Sequence, residues 1–385
     1  MLRRYSISIL FGLLLTASAV AEVTVARVPD SGLQPRLVND ADGGLHLLYF
    51  KKRLSAPSAR EGRLYYRQYD SVAQRFSAPV QVSSTAFDLQ TFAISRASMA
   101  LDGNGRAHVL WYLPKQNSYF YARSNEQRTA FETQRSIVSS YNEGLDAAGD
   151  IAARDQQVAI VWAAGALSEE ASRTVYARFS DDGGATFGEE LRVGDPDLGA
   201  CACCSLATEF DTKSRLIIGY RSALNSVGRH MQRLSVHSAA PSLAQAGQTL
   251  RGDYAPLSPL QEWELSACPL STNDFALDAL AEPSLVFETA ARVIRLPSTS
   301  APSAVREPAT PTRQKNPAVA INAAGQVLTS WGEAISHSKG GTLRAQLEDA
   351  EGNLLDWSLE GEPEIPRYSF PAAGVLPNGE FLLLW

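Results

Sequence analysis

Short apolar runs of about five residues, each closed by an aromatic side chain, recur along this chain between polar, glycine-bearing turns. The clearest are Leu45-His-Leu-Leu-Tyr49, Ala107-His-Val-Leu-Trp111, Val158-Ala-Ile-Val-Trp162, Val327-Leu-Thr-Ser-Trp331 and Phe381-Leu-Leu-Leu-Trp385. Asp42-Gly-Gly44, Asp102-Gly-Asn-Gly105 and Asn378-Gly379 stand just before three of them. Brief apolar runs punctuated by Asp-Gly or Asn-Gly are hairpin signals, and helical periodicity is nearly absent. The pattern predicts an all-β chain.

Lining up the closing aromatics gives Tyr49, Trp111, Trp162, Tyr220, Phe287, Trp331 and Trp385, in steps of 44 to 67 residues. Third strands follow in several copies, as in Leu64–Gln68, Tyr119–Arg123 and Thr174–Arg178, and fourth strands end at Val82, Val138 and Val193. A unit of four short strands repeated at this period cannot bury its faces alone, and points to the blades of a β-propeller. Seven opening pairs favour seven blades; six is the alternative. The last pair stops at Trp385, and Val23–Arg27 is left to complete its blade from the other end of the chain, removing an exposed sheet edge. That blade would still be one strand short. Ala239–Gln248 and the Pro-, Ser- and Thr-rich Pro297–Pro317 read as long loops between blades, and the copy around Phe287 is the least regular.

The turn after the third strand of the third copy is Ser180-Asp-Asp-Gly-Gly-Ala-Thr-Phe187. Ser180, Asp182, Gly184, Thr186 and Phe187 resemble the Asp box of sialidases and related propellers. Its expected role is structural: carboxylate and hydroxyl accept hydrogen bonds from the turn's own backbone, glycine permits a positive φ, and the aromatic ring plugs the hairpin. In that family the box lies away from the active site, and true sialidases have six blades. A degenerate copy keeps Ser124, Glu126 and Phe131 at the hydroxyl, acid and aromatic positions, with Arg128 and Ala130 replacing glycine and threonine.

The first residues change the picture of where the chain works. Arg3 and Arg4, an apolar run Ile7–Leu15 and Ala19-Val-Ala21 before Glu22 form the charged, apolar and small-residue regions of a signal peptide. Residues 1–21 are therefore expected to be removed, leaving 22–385 as one propeller domain in the periplasm or outside the cell. No later stretch has the length of a membrane helix. Losing Arg3 and Arg4 from 35 basic residues leaves 33 against 41 acidic ones, a net charge of −8. That balance argues against nucleic acid and anionic membrane as partners, and a monomer is expected.

The unusual chemistry is Cys201-Ala-Cys203-Cys204, with Cys268-Pro269 further on. Cys204-Ser-Leu and Cys268-Pro-Leu both stand where an opening strand begins, in consecutive copies. In a propeller that position is the mouth of the central channel, so four sulfurs can converge there. An even count in an exported chain suggests two disulfides. Adjacent Cys203 and Cys204 are a poor pair, because their Cα atoms sit about 3.8 Å apart and disulfides span roughly 4.4–6.8 Å. Cys201–Cys204 can close, leaving Cys203 for Cys268. Alternatively the four thiolates hold a soft metal, copper(I) or zinc. His230-Met231 lies in the same repeat and could add soft ligands.

The order Cys-x-Cys-Cys, Tyr220-Arg221, Cys268-Pro269 resembles a bacterial exported subset of the sialidase-like superfamily, although the Asp box of that pattern is missing between Tyr220 and Cys268. The parent family's chemistry implies three arginines that clamp a substrate carboxylate, an acid/base aspartate and a tyrosine nucleophile. Its first arginine stands in an Arg-Ile-Pro segment, whereas this chain has Gln34-Pro-Arg36-Leu. The catalytic candidates by position are Arg36, Arg221, Arg367 and Tyr368, with Arg96 also near a strand start. Of the histidines, His46 and His108 occupy equivalent repeat positions, and His230, His237 and His337 are scattered. Arg251-Gly-Asp253 is an isolated tripeptide.

Together these features indicate a sialidase-like propeller binding a small molecule, glycan or protein at its channel mouth, without catalysis. An exo-sialidase and a copper- or zinc-binding envelope protein are the alternatives.

Overall fold

The computed structural model describes residues 20–53, 60–89, 96–146, 149–195, 197–237, 253–255, 263–298, 301–307, 310–336 and 339–385. Strand β1 (Val23–Ala26) belongs to the last sheet. Blade one contains β2 (Leu33–Asn39), β3 (Leu45–Lys52) and β4 (Glu61–Asp70), with the short β5 (Arg75–Phe76), β6 (Val80–Gln81) and β7 (Phe87–Asp88) all on β4. Blade two is β8 (Ser98–Leu101), β9 (Ala107–Leu113), β10 (Ser118–Arg123) and β11 (Arg135–Ser136). Blade three is β12 (Asp150–Arg154), β13 (Gln157–Ala164), β14 (Thr174–Ser180) and β15 (Leu191–Arg192). Blade four is β16 (Ala207–Phe210), β17 (Arg215–Arg221), β18 (Met231–His237) and β19 (Asp253–Ala255). Blade five is β20 (Asp274–Leu277), β21 (Pro283–Thr289), β22 (Arg292–Leu296) and β23 (Ser303–Ala304). Blade six is β24 (Gln314–Ile321), β25 (Val327–Glu333) and β26 (Thr342–Glu348). Blade seven is β27 (Ala372–Val375) and β28 (Phe381–Leu384), completed by β1.

The first strands of the seven blades pack in a closed ring, β2 on β8, β12, β16, β20, β24 and β27 in turn, and β27 back on β2. The molecule is a seven-bladed β-propeller. Every marker aromatic lies on or just after a second strand. Seven blades rather than six follow from β1, which runs parallel to β28 in the register Val23↔Phe381 to Ala26↔Leu384. The closure continues with Val28 N–H donating to the Trp385 carbonyl at 3.0 Å and the Arg27 guanidinium 3.3 Å over the Trp385 ring. Blade seven has three strands, as the sequence pattern predicts.

The core lies in the seams between sheets. Val161 and Ala177 of blade three meet Leu206, Ile218 and Tyr220 of blade four, and Leu285, Phe287 and Ile294 of blade five pack on Ile217 and Met231. Within a blade the strands alternate direction. First strands begin, and second-to-third-strand loops return, at one end of the ring, which is the channel mouth. The hairpins after first and third strands lie at the opposite end.

The turn Ser180–Phe187, which resembles an Asp box, occupies that far end and behaves as a staple. Asp182 accepts from Ser180 Oγ (2.7 Å), Thr186 N (2.9 Å) and Thr186 Oγ1 (2.6 Å), while Gly184 N–H donates to Ser180 Oγ (2.9 Å). Burial opposes the charge, but the hydrogen bonds from Thr186 and Ser180 prevail and hold the Asp182 carboxyl down at about 2. Phe187 packs edge-on to Tyr121 of blade two at 5.2 Å. Tyr121 Oη is 2.7 Å from His108 Nδ1, whose Nε2 is 3.3 Å from Asp102. Blade one repeats the chain with Tyr66, His46 and Asp40, and Phe131 against Tyr66. His46 and His108 are repeat features.

Two details differ from the sequence expectation. In the degenerate second box the acceptor is Asn125, whose Oδ1 takes Thr129 N at 2.8 Å; Glu126 turns instead to Arg106 at 2.9 Å. A side chain one residue earlier in the chain reaches the Thr129 and Ala130 N–H groups of the turn. Pro297–Pro317 is not one loop, because β23 and the start of β24 fall inside it. Pro317 sits at the bulge between Lys315 and Ala318, where a missing ladder donor costs nothing. Ala239–Gln248, Arg251, Gly252 and His337 lie outside the described residues, as do residues 1–19 of the expected signal peptide. No helix among the described residues is long and apolar enough to cross a membrane.

Candidate functional site

Below the mouth, charged side chains from five blades fill the channel. Arg36 of blade one pairs with Asp274 of blade five, and Arg96 of blade two lies 3.8 Å from the same carboxylate. Asp150 of blade three accepts from Ser98 Oγ and from Thr208 N at 2.7 Å. Burial pushes the Asp150 carboxyl up, pushes Glu209 of blade four up to about 7, and lowers the Arg96 guanidinium to about 10. Two guanidiniums thus face three carboxylates in a space that water barely reaches.

At the mouth the cysteines meet. Cys201, Cys203 and Cys204 are each at most 3% exposed, and their sulfurs lie within 4.8 Å of one another. Cys201 Sγ is 3.4 Å from Cys203 Sγ and 3.6 Å from Cys204 Sγ. The Cys203 thiol also meets that of Cys268, which is exposed. The segments carrying them are stitched together at the starts of blades four and five. Ser205 N–H donates to Ser271 O at 3.1 Å, and Asn273 Nδ2 donates to Ser205 O at 2.7 Å. Hence sulfurs far apart in the chain become neighbours, as the repeat register predicts.

The thiols titrate as a group. Burial opposes ionisation of Cys204, but S–H donation from Cys201 and Cys203 and the charge of Arg221 outweigh it and hold Cys204 well below the ordinary thiol value. Donation to Cys201, Cys204 and Cys268 pushes Cys203 up, and the same contact with Cys203 draws Cys268 down.

Buried cations surround the sulfurs. Arg173, Arg221, Arg229 and Lys315 are each at most 5% exposed. Glu170, from the loop before β14, ties the site together: it accepts from Ala202 N at 2.9 Å and from Arg229 Nη2 at 2.7 Å. Arg221 Nη1 donates to Arg229 O at 2.7 Å, and its guanidinium lies 5.0 Å from the Trp263 ring. Arg221 Nε and Arg229 Nη1 have no hydrogen-bond partner among the described residues. Buried guanidinium N–H groups without acceptors are costly unless negative charge lies beside them. Sulfur ionised as thiolate supplies that charge.

The sequence candidates distribute as follows. Cys201, Cys203, Cys204 and Cys268 come together. Arg36 lies in the channel, engaged by Asp274. Arg221 sits beneath the sulfurs and also donates to the Glu288 carbonyl. Arg367 lies 5.5 Å over the Tyr368 ring where the chain approaches blade seven, and Tyr368 packs on the seam between blades one and two. Met231 is core, and His230 Nδ1 accepts from Trp263 N at 3.2 Å. Sequence reading missed Glu170, Arg173, Arg229, Trp263 and Lys315. Only Arg229, beside the noted His230, had any local signal.

The fold defines this chain as a β-propeller. It resembles an α-L-arabinofuranosidase from Fusarium graminearum in complex with an iminosugar inhibitor, at 10% identity over 86% of this chain and 97% of that one, TM-score 0.51. It also resembles a Penicillium chrysogenum α-L-arabinanase complexed with arabinobiose (8% identity, 87% and 98% covered, TM-score 0.48). A Hadza microbial sialidase aligns at 11% identity over 89% of this chain and 61% of that one, TM-score 0.39. At 10% identity the likeness to the arabinofuranosidase speaks for the fold alone. The sequence matches no family model and no curated protein.

Proposed function

We propose that this chain is an exported, non-catalytic binding propeller whose mouth holds a soft metal ion. Copper(I) is the first choice and zinc the second, with Cys201, Cys203 and Cys204 as the donors and Cys268 beside them at the surface. The observation that carries this reading is three buried sulfurs within 4.8 Å of one another, beside Arg221 and Arg229 N–H groups that lack partners. An all-thiolate donor set selects copper(I) or zinc over harder cations. Copper(I) accepts the low coordination that three clustered sulfurs offer, and the surrounding guanidiniums offset the thiolate charge. Anaerobically purified protein should carry about one equivalent of copper or zinc, lost in Cys203→Ser/Cys204→Ser. Metal-free protein under those conditions would overturn the reading.

A second reading keeps the same binding propeller with disulfides Cys201–Cys204 and Cys203–Cys268. The 3.6 Å approach of the first pair and the contact of the second favour it. Non-reduced peptide mapping decides between the two. Against a sialidase stands the engagement of Arg36 by Asp274, which leaves that guanidinium committed before any substrate carboxylate arrives. Release of the fluorophore from a fluorogenic sialoside, lost on changing Arg36 or Arg221, would restore that alternative.

A further inference from the structure

We infer that Cys268 is the exchange thiol of this site, the sulfur through which copper(I) is received from a carrier that presents the ion on its own thiolate. The inference rests on the soft-metal reading above and adds the route and the class of partner.

Two features separate Cys268 from the other sulfurs. Cys201, Cys203 and Cys204 are buried and come from the one loop that leads into blade four, whereas Cys268 is exposed and comes from the loop leading into blade five. Cys268 is nevertheless held in place. The carbonyl of the next residue, Pro269, accepts from Lys315 Nζ at 2.8 Å and from Arg313 Nη2 at 3.0 Å, both from blade six. Leu270, with a left-handed φ of 53°, packs against the three buried cysteines. The exposed sulfur is therefore held beside the buried group, where its thiol interacts with that of Cys203. From the other direction the channel is filled by Arg36, Arg96 and Asp274. An arriving ion meets Cys268 first.

The transfer is ligand exchange without redox change. The Cys268 sulfur bonds to the carrier-held ion, the copper–carrier sulfur bond breaks, and the Cys268 proton passes to the departing carrier thiolate. Cys203, whose thiol interacts with that of Cys268, then gives its proton to solvent water, bonds to the ion and draws it into the buried group. Copper remains in the +1 state throughout.

Two measurements test this, with the copper(I)–glutathione complex as donor. In reduced, metal-free protein under native conditions, iodoacetamide should modify Cys268 at least about tenfold faster than the other three, as exposure of the sulfur dictates. In stopped-flow transfer, Cys268→Ser should slow uptake by about tenfold or more, while three thiolates still take up one equivalent at equilibrium. Equal alkylation of all four cysteines, an unchanged transfer rate, or loss of equilibrium uptake in Cys268→Ser would each overturn the role of Cys268. Failure of the wild-type protein to take up copper would sink the soft-metal reading instead. The Ser substitution replaces one exposed atom, so the variant's melting curve should match the wild type's.

Discussion

Arg36 of blade one and Asp274 of blade five form an ion pair across the central channel, joining strands that are not neighbours in the ring. Both are largely buried, and Arg96 shares the same carboxylate. Removing one partner strands a buried charge, which typically costs about 3–5 kcal/mol. Arg36→Leu should lower the urea midpoint accordingly, and Arg36→Leu/Asp274→Asn should recover part of the loss. A single substitution as mild as one at the exposed Arg292–Glu307 pair would contradict the cross-channel role.

Glu209 makes the channel pH-sensitive. Burial raises its folded-state value from 4.5 to about 7, so the folded protein holds that proton more tightly than the unfolded chain. Its contribution is most favourable below pH 4.5 and is lost as pH rises through 7, by about 3 kcal/mol at 1.36 kcal/mol per unit. Glu209→Gln keeps an acceptor for Phe210 N–H and removes the ionisation. The variant's stability advantage over wild type should therefore grow between pH 5 and pH 8. A constant gap in denaturant midpoint across that range would refute the raised value.

Gly184 is the position where the Asp box tolerates no side chain. Its φ is +74°, and an added Cβ would fall 1.9 Å from Tyr121 Oη, breaking the link to His108. Gly379 has a similar φ of +86° with nothing within 4 Å. Gly379→Ala should cost about 1 kcal/mol in backbone strain, and Gly184→Ala distinctly more. Thermal melts of the two variants compare them directly; equal losses would mean the contact with Tyr121 gives way freely.

The box and the thiols should also be separable. Thr174, at the start of β14, adjoins Arg173 and the mouth, while Ser180 ends the strand in the box. Six steps of about 3.3 Å each place the two features some 20 Å apart. Asp182→Ala, which loses the bonds from Ser180 and Thr186, should cost about 1–3 kcal/mol and leave the number and reactivity of the thiols unchanged. Altered thiol reactivity in that variant would show coupling that the fold does not account for.

Much of this was legible in the chain itself. Strong local signals, the aromatic-closed runs and Asp-Gly turns, located all seven second strands, because a short buried strand is dictated by its own side chains. The shared register put Cys204 and Cys268 at one mouth for the same reason. What could not be read was set by packing between blades. Glu170, Arg229 and Lys315 reach the sulfurs only because blades three to six converge there, and no spacing in sequence encodes that. Pro317 misled through its usual meaning as a strand breaker, since a bulge accommodates it inside β24. Arg36 looked available for a ligand until the ring closed and brought Asp274 opposite.

A competition titration with a chromophoric copper(I) chelator under anaerobic, reducing conditions tests the soft-metal site most directly. The wild-type protein should withdraw about one equivalent of copper(I) from the chelator, as a clustered thiolate set does, and Cys203→Ser/Cys204→Ser should withdraw none. Full retention of copper by the chelator in the presence of the reduced wild-type protein, or identical curves for protein and variant, would contradict it.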